Sequence, residues 1–285
     1  MPVNRFLWDS IRGFCSILAE ERGARPLDFS EREGPCPFCP GNEDMTPPEI
    51  TRVGEPWRVR VFPNKYPATD RHEVIVDSPI HGCSLADLSV EELALAIRIW
   101  RERVLEAYSD ERIRYVSLFH NHGMKAGASR RHIHTQLLGL PFVPPAIERE
   151  TSFYEKGACP VEATVGSGHI FLEEKGLIAF CPQAPRFSYE VWITPAEHGG
   201  LLPEDTVPFS VVLKKVLAGI KGLLSDPDYN LMVKTAPGMW HWRAEIIPRT
   251  GFLAGFELDT GCHIISVAPE RAALELRGVI EKQSL

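Results

Sequence analysis

The sequence predicts an α+β protein that consists of a duplicated unit, with two mainly antiparallel sheets and flanking helices. Two observations predict this fold. An ordered series of motifs occurs twice in the 285 residues. Each copy also changes from the two-residue apolar period of strands to the period of a helix and back. We expect the two halves to cover residues 1–148 and 149–285.

The first copy has one helix among several strands. The helix should begin after Ser89, because Ser89-Val90-Glu91-Glu92 forms a capping box ahead of apolar residues at helical spacing. A strand should carry the run that begins at His132. The other expected strands cover residues 11–19, 57–63, 72–77 and 113–119.

The second copy repeats the pattern of the first. LIAFCPQAP at 177–185 resembles the earlier VRVFPNKYP, and SYEVWITPAEH at 188–198 resembles the earlier RHEVIVDSPIH. Such internal similarity indicates a repeated structural unit. The remaining expected elements are a helix over 207–224, a strand over 229–235, a final strand over 263–267 and a helix over 269–282.

Composition narrows the class of protein. The formal net charge is -7 and the pI is near 5.8, which disfavours a general nucleic-acid binder. The sequence has no long uncharged apolar run and no charged start followed by an apolar segment, so we expect no membrane span and no signal peptide. Seven scattered cysteines favour a reducing compartment, and we expect the cytoplasm.

Cys36-Pro37-Phe38-Cys39 has the spacing of half a zinc site. The alternative is a redox pair, which would need a thioredoxin-like strand and helix around it. His81 and His132 would complete a closed Cys2His2 site that is structural, because no position is left for a substrate. Three other histidines compete for these ligand roles, namely His72, His120 and His122.

The segment from Asn121 to Gln136 joins a loop of small residues to a His-x-His-x-Gln run. Small residues let backbone N–H groups approach an anion. On a strand, His132, His134 and Gln136 would share one face, because side chains alternate with a period of two. With His132 in the metal site, His134 can attack phosphorus as a neutral imidazole.

This arrangement indicates phosphoryl or nucleotidyl transfer through a histidine intermediate. Gln136 would donate a hydrogen bond to a phosphoryl oxygen, while Ser129 and the backbone around Gly127 would hold the same group. The alternative is that His134 and Gln136 are only polar residues on a half-exposed strand. Arg22 and Arg25 flank Gly-Ala and could grip a phosphate, or they could belong to a solvated charged run.

These motifs, in this order, resemble the galactose-1-phosphate uridylyltransferase family, a branch of the histidine triad superfamily. The resemblance covers almost the whole chain and implies a duplicated histidine-triad-like fold. Its motifs are Arg22-Gly-Ala-Arg25-Pro26, Cys36-x-x-Cys39, Phe62-Pro63-Asn64-Lys65-Tyr66-Pro67, Ser78-Pro79-Ile80-His81, Asn121 to Gln136, and Gly255-Phe256-Glu257.

The resemblance implies a role for each matched residue. His134 would carry the nucleotidyl group, and Gln136 would orient its phosphate. Asn64 and Lys65 would lie near the nucleoside, and Glu257 would contact sugar hydroxyls. The zinc ligands would be Cys36, Cys39, His81 and His132, and the residues that hold phosphates would be Arg22, Arg25, Asn121, Gly127 and Ser129.

The implied reaction is a ping-pong transfer of a nucleoside monophosphate between a nucleotide-sugar and a hexose 1-phosphate. The expected enzyme is similar to a UDP-glucose–hexose-1-phosphate uridylyltransferase of galactose metabolism, and the resemblance suggests a homodimer that shares residues between active sites. The same histidine could serve a nucleotide-sugar or dinucleoside polyphosphate phosphorylase or hydrolase. A non-catalytic zinc-containing nucleotide-binding module is the alternative from another class.

The second half departs from the family pattern. A second metal could still bind there, because glutamate can replace cysteine as a ligand. Arg243 stands where a second nucleophilic histidine would be, so we expect no second nucleophile. In the first half, Ile133 separates the two histidines and should face away from the site. The residues that could hold the second metal are Cys159, Glu162, His198 and His241.

Overall fold

The computed structural model describes residues 5–11, 13–24, 34–239 and 241–283. Within them lie twelve strands and six α-helices. The strands are β1 (Arg5–Asp9), β2 (Phe14–Leu18), β3 (Thr51–Val53), β4 (Val59–Pro63), β5 (Arg71–Val76), β6 (Tyr115–His122), β7 (His134–Leu140), β8 (His169–Glu174), β9 (Leu177–Cys181), β10 (Val191–Pro195), β11 (Tyr229–Lys234) and β12 (Arg243–Pro248). The helices are α1 (Val90–Tyr108), α2 (Pro145–Tyr154), α3 (Pro160–Ser167), α4 (Val207–Leu224), α5 (Gly255–Thr260) and α6 (Pro269–Gln283).

The two copies have the same strand order. In the first copy the neighbouring strands are β3-β4-β5-β7-β6, and in the second copy they are β8-β9-β10-β12-β11. The named pairs within each copy are antiparallel. In both copies the long helix, α1 or α4, follows the third strand of this order. The predicted duplicated α+β fold is confirmed.

The chain divides into two compact units. The first comprises residues 1–83, 95–120 and 129–158, and the second comprises residues 84–94, 121–128 and 159–285. The simple division near residue 148 stays a prediction. Among the described residues, no helix combines the length and the hydropathy that crossing a bilayer requires.

The sheet of the first unit has two chemically different faces. Val74 pairs with Gln136 and Val76 with His134, so His134 and Gln136 project from the same face as these valines. Glu73 projects from the opposite face, where Arg103 of α1 donates two hydrogen bonds to it at 2.7 and 2.9 Å. Helix α1 therefore covers one face, and the other is left for the histidine and the glutamine.

The capping box predicted for α1 is present. The backbone N–H of Ser89 donates to the Glu92 carboxylate at 2.8 Å, and the Glu92 N–H donates to Ser89 Oγ at 3.2 Å. These reciprocal bonds satisfy two of the N–H groups that every helix start leaves without an intrahelical partner. The helix then buries Leu93, Ile97 and Trp100.

The predicted final strand over 263–267 is wrong. These residues form no strand, Ile264 is 72% exposed, and α5 precedes them. The N–H groups of Ser266 and Val267 donate to Ser188 Oγ at 3.2 Å each. These N–H groups thus bond a side chain and not the backbone of a neighbouring strand. The β-branched residues gave the segment strand character, but a strand requires a partner.

Asp228 fixes the turn that precedes the His-x-His run. Its carboxylate accepts the Lys125 N–H at 2.6 Å, and Gly123 has a φ of +81° beside it. A Cβ at Gly123 would lie 2.0 Å from Asp228 Oδ1. Asn230 adds hydrogen bonds of 2.8 Å to Asn121 Oδ1 and to the Ala126 carbonyl. The turn therefore needs glycine both for its dihedral angle and for its space.

Gly123→Ala should destabilise the protein more than Gly176→Ala. Both positions have a left-handed φ, but a Cβ at Gly176 meets nothing within 4 Å. Gly176→Ala should cost only the left-handed conformation, about 1–2 kcal/mol. Gly123→Ala should lose a further ~1.5–3 kcal/mol, because it displaces a carboxylate from its N–H donor. Urea unfolding of both variants measures the difference, and equal losses would contradict the clash.

Candidate active site and metal cluster

Four predicted ligands of the first unit come together. The Sγ, Nδ1 or Nε2 atoms that Cys36, Cys39, His81 and His132 offer lie within 4.8 Å of one another. Cys39 Sγ is 3.4 Å from His81 Nδ1 and 3.6 Å from His132 Nδ1, and Cys36 Sγ is 3.8 Å from His132 Nδ1. A sulfur and a nitrogen on one tetrahedral zinc are separated by about 3.5 Å, given the usual bond lengths. The cluster could therefore hold a metal ion.

Hydrogen bonding prepares His132 as a ligand. Its Nε2 lies 2.8 Å from the Ser78 carbonyl oxygen, which can only accept, so Nε2 carries the proton and Nδ1 carries the lone pair. This is the usual outer contact of a metal-bound histidine. Burial lowers the pKa of His132, which favours the neutral form that binds metal. A closed set of two cysteines and two histidines would give a bound zinc a structural role.

His134 has the opposite tautomer. Its Nδ1 lies 2.9 Å from the His132 carbonyl oxygen, so Nδ1 carries the proton. Nε2 therefore has the lone pair, which is the nucleophilic electron pair of an imidazole. The ring is 4% exposed and contacts Phe38 edge-on, with 5.2 Å between ring centroids. The hydrogen bond to the His132 carbonyl and the contact with Phe38 thus fix the orientation of the His134 imidazole.

His134 lines a cavity of about 550 Å³, including its open mouth. Lys65 and Arg130 line the same cavity, as do Ser129 and Gln136, and none of its described lining residues is acidic. Its apolar wall consists of Pro37, Phe38, Met45, Pro47, Phe62 and Val74. Two cations with hydroxyl and amide groups suit phosphates, while the apolar wall suits a flat, weakly polar group.

The structure brings some of the predicted substrate-binding residues to this cavity. Asn64, Lys65, Ser129, His134 and Gln136 line it. The described residues Arg22, Asn121, Gly127 and Glu257 are not among its lining residues, and Arg25 lies outside the described residues. The roles of all these residues stay predictions.

Arg130 and Phe38 are two cavity residues that the sequence patterns did not single out. The Arg130 guanidinium lies over the Phe38 ring, 5.4 Å from its centroid, as in a cation–π contact. Phe38 lies within the C-x-x-C motif of the metal half-site, and Arg130 lies within the segment of the glycine-rich loop. A cation two residues after Gly-Ala was the available signal, because a phosphate loop often ends near a basic side chain.

Three of the four residues predicted for a second metal also cluster. Atoms of Cys159, Glu162 and His241 lie within 4.8 Å of one another, with 3.3 Å between Cys159 Sγ and His241 Nδ1. His198 instead bonds Glu162 Oε1 through Nε2 at 2.8 Å. The local structure around Cys159 differs from that around Cys36, because helix α3 begins directly after Cys159. A second metal here stays a prediction.

The second unit has charged residues at the positions of His134 and Gln136. Trp192 pairs with Glu245 in β10 and β12, as Val74 pairs with Gln136 in the first unit. Arg243 donates to Glu245 at 2.8 Å, and Arg186 donates to Glu245 at 2.6 Å. Burial acts to raise the pKa of Glu245, but Lys234, Arg243 and Arg186 outweigh burial and lower it to about 2. The carboxylate and its cations form a buried ion network.

Comparison with known proteins identifies the relatives of this chain. The family model for the galactose-1-phosphate uridyl transferase N-terminal domain matches residues 64–144. An ADP-glucose phosphorylase from Arabidopsis thaliana is 29% identical, over 95% of this chain and 92% of that protein. A galactose-1-phosphate uridylyltransferase from Thermotoga maritima is 26% identical, over 92% of this chain and 94% of that protein.

A solved structure has the same fold. The crystal structure of an ADP-glucose phosphorylase from Arabidopsis thaliana, with bound ADP-glucose, superposes with a TM-score of 0.79. It is 29% identical, and the match covers 96% of this chain and 98% of that chain.

The chain thus has a duplicated α+β unit in which a histidine-lined cavity lies beside a cluster of potential metal ligands, and it resembles known uridylyltransferases and phosphorylases. More specifically, the chain is similar to members of the galactose-1-phosphate uridylyltransferase family, the resemblance that its motifs predicted. The relatives compared include both a uridylyltransferase and a phosphorylase.

Metal analysis should find at least one zinc per chain. Cys39→Ser should remove that zinc and lower stability by roughly several kcal/mol, because structural zinc contributes directly to folding. Cys262→Ser is the control, since Cys262 is exposed and belongs to neither cluster. A second equivalent that disappears in Cys159→Ser would place a metal in the second unit. Full zinc retention by Cys39→Ser, measured by plasma mass spectrometry, would contradict the first site.

Proposed function

We propose that this protein transfers a nucleoside monophosphate from a nucleotide-sugar to a hexose 1-phosphate through a covalent intermediate on His134. The observation that carries the proposal is the fixed tautomer of His134 in a cavity whose described walls are cationic and apolar. The Nε2 lone pair can attack phosphorus because Nδ1–H already bonds the His132 carbonyl. UDP-glucose as donor and a place in galactose metabolism belong to this proposal.

The first step makes one bond and breaks one bond. Nε2 of His134 attacks the phosphorus next to the nucleoside, an N–P bond forms, and the bond to the bridging oxygen breaks. The sugar leaves as sugar 1-phosphate with the bonding electrons. The imidazole becomes positive, and its Nδ1–H bond to the His132 carbonyl, 2.9 Å in the present structure, stabilises that charge.

The second step reverses the first with a new acceptor. A phosphate oxygen of the incoming hexose 1-phosphate attacks the same phosphorus, and the N–P bond breaks to restore neutral His134. Gln136 would hold a phosphoryl oxygen during both steps, and Ser129, Lys65 and Arg130 would balance the phosphate charge. The metal site, when filled, supplies no group to the reaction, since its four ligands close it.

A phosphorylase that acts on a nucleotide-sugar is the second candidate. It is supported by the ADP-glucose phosphorylase relative at 29% identity. Inorganic phosphate would then replace the hexose 1-phosphate in the second step, with the first step unchanged. Water in the same position would make the protein a hydrolase.

Labelled nucleotide-sugars test both steps. Incubation with UDP-glucose or ADP-glucose labelled in the phosphate next to the nucleoside should attach the label to the protein. His134→Ala should lower this labelling by about 10⁴-fold or more, because it removes the proposed nucleophile and Arg243 stands at the matching position of the second unit. His263→Ala, an exposed histidine, should label normally. Chasing with galactose 1-phosphate, phosphate or water then identifies the acceptor by the product formed.

Two results would reject the covalent mechanism. One is label attached to His134→Ala at the rate of the unsubstituted protein. The other is nucleotide binding with no exchange of label between nucleotide-sugar and sugar phosphate, which would favour the non-catalytic zinc-containing module.

We further propose that the protein is a homodimer in the cytoplasm. Support for the dimer comes from the segment around α5, where Phe252, Phe256, Leu258 and Ile264 are each more than half exposed. Exposed apolar side chains at this density mark interaction surfaces. Glu257 is in the same segment, so a partner could receive it as a sugar-binding group. All seven cysteines are free thiols, which supports a reducing compartment.

Leu258→Asp should convert the dimer to a monomer and raise the KM for the sugar phosphate. Sedimentation equilibrium measures the first effect and steady-state kinetics the second. Leu274→Asp is the matched control, because Leu274 is 65% exposed on α6 and Leu258 is 73% exposed. Unsubstituted protein that sediments as a monomer would contradict the proposal, as would a Leu258→Asp dimer.

A further inference from the structure

We propose that His72 is a positioning residue that fixes the orientation of the Gln136 amide. His72 and Gln136 are each 3% exposed, and His72 Nε2 lies 3.1 Å from Gln136 Oε1. Only Gln136 lines the cavity. The role in catalysis rests on the proposed transfer at His134, whereas the hydrogen-bond arrangement is a property of the protein without substrate.

The tautomer of His72 follows from the groups around its Nδ1. The backbone N–H of Ala68 lies 3.0 Å from this atom and can only donate. Arg22 Nη1, also a donor, lies 3.5 Å from it. Nδ1 must therefore accept, and the ring proton of neutral His72 is on Nε2.

The proton on Nε2 selects an oxygen as its partner. Asn64 Nδ2 lies 3.0 Å from Nε2, but it is a donor, and Asn64 Oδ1 already accepts the Tyr66 N–H at 2.8 Å. Gln136 Oε1 lies 3.1 Å from Nε2 and can accept this proton. Once this oxygen is held by His72, the amide NH₂ of Gln136 is the end that can face a ligand in the cavity.

The orientation of the Gln136 amide decides whether a phosphate in the cavity is attracted or repelled. An amide NH₂ donates to a phosphoryl oxygen and stabilises negative charge there. A flipped amide would present its oxygen to that charge and repel it. Amide flips exchange nitrogen and oxygen with little change of shape, so packing alone does not exclude the wrong orientation.

The second unit supports the coupling of these two positions. In the strand registers Trp192 pairs with Glu245 as Val74 pairs with Gln136, which shifts the match of the two sequence motifs by one residue. Counted two residues back from these pairs, Glu190 stands where His72 stands, and Glu245 stands where Gln136 stands. The N–H of Arg186, four residues before Glu190, donates to its carboxylate at 2.6 Å, as the Ala68 N–H does to His72. A backbone N–H at the same position thus donates to a different side chain in each unit. The Arg186 guanidinium also donates to Glu245 at 2.6 Å. Where the first unit has His72 and Gln136, the second unit therefore has two glutamates, so both positions have changed.

Arg22 belongs to this arrangement. Its Nη1 donates to the Tyr66 carbonyl at 2.6 Å and lies beside His72 Nδ1, and the residue is outside the cavity lining. A guanidinium at this place repels a second proton on the ring. Arg22 therefore supports the accepting state of Nδ1.

A double-mutant cycle tests the positioning role. The rate of nucleotidyl transfer to His134 is measured in a single turnover for His72→Ala, Gln136→Ala and the double variant. We expect His72→Ala to lower this rate about 10–100-fold, with ligand affinity changed less than threefold, since one donor in such a site is worth roughly 10²–10³ in rate. In the Gln136→Ala background the same substitution should lower the rate less than twofold. His72→Gln, whose amide can donate to Gln136, should restore part of the rate.

Equal rate losses in both backgrounds would overturn the proposal, because His72 would then act independently of Gln136. An effect on ligand affinity alone would overturn it too. Far-ultraviolet circular dichroism checks the folding of every variant, and His72→Phe, which keeps a ring but has no N–H donor, replaces His72→Ala in the cycle if the alanine variant does not fold.

Nitrogen NMR of the substrate-free protein separates this inference from the proposed function. Long-range ¹⁵N–¹H spectra should show His72 protonated at Nε2 and not at Nδ1. Protonation at Nδ1 would overturn the inference even if His134 carries the label. Conversely, the Nε2–H tautomer in a protein that labels no residue would support the hydrogen-bond arrangement and reject the transfer function.

Discussion

Two backbone carbonyls determine what the two histidines of the His-x-His run can do. The Ser78 carbonyl receives the Nε2 proton of His132 and leaves Nδ1 toward the cysteines. The His132 carbonyl receives the Nδ1 proton of His134 and leaves Nε2 as the basic atom. His132 lies just before β7 and His134 begins it, and residue type alone would make the two rings equivalent. Their acceptors suit one ring to bind a metal ion and the other to act as a nucleophile.

In the second half, only one of these two positions has a histidine. His241 keeps the ligand position, with Nδ1 at 3.3 Å from Cys159 Sγ. Arg243 takes the place of His134, and a guanidinium cannot be a nucleophile because it stays protonated. Glu245 then compensates the buried cation, which requires a carboxylate where the first half has an amide. The second unit keeps the strands and the long helix of the repeat, and its charged side chains at this place form a buried ion network.

The sequence was most informative where one motif requires one local geometry. The C-x-x-C spacing predicted half of a ligand set, and the family resemblance favoured His81 and His132 over three competing histidines. These four residues do cluster. The capping box was enough to predict where α1 begins. These signals are local, or they depend on an order of motifs that the duplication displays twice.

The sequence was least informative where the partner of a residue is distant and unmarked. The segment 263–267 has strand-like residues, but whether a neighbouring strand exists is a tertiary property. His72 was considered only as a possible ligand, because nothing in the sequence shows that Ala68 and Gln136 lie on its two sides. Arg130 was passed over since its place on Phe38 depends on how the metal half-site folds. Hydrogen-bond direction and ring stacking are set by packing, and no local pattern encodes them.

Phe38 links the metal cluster to the cavity. It lies between the two cysteine ligands in the chain, and its ring centroid is 5.2 Å from that of His134, 6.2 Å from that of His132 and 5.6 Å from that of Phe62. Arg130 lies over the same ring. A turn held at both ends by cysteines on one metal ion would keep this ring in place. The cluster would therefore shape the apolar wall and the position of a cation, as well as hold the strand, and it would do so without contributing an atom to the reaction.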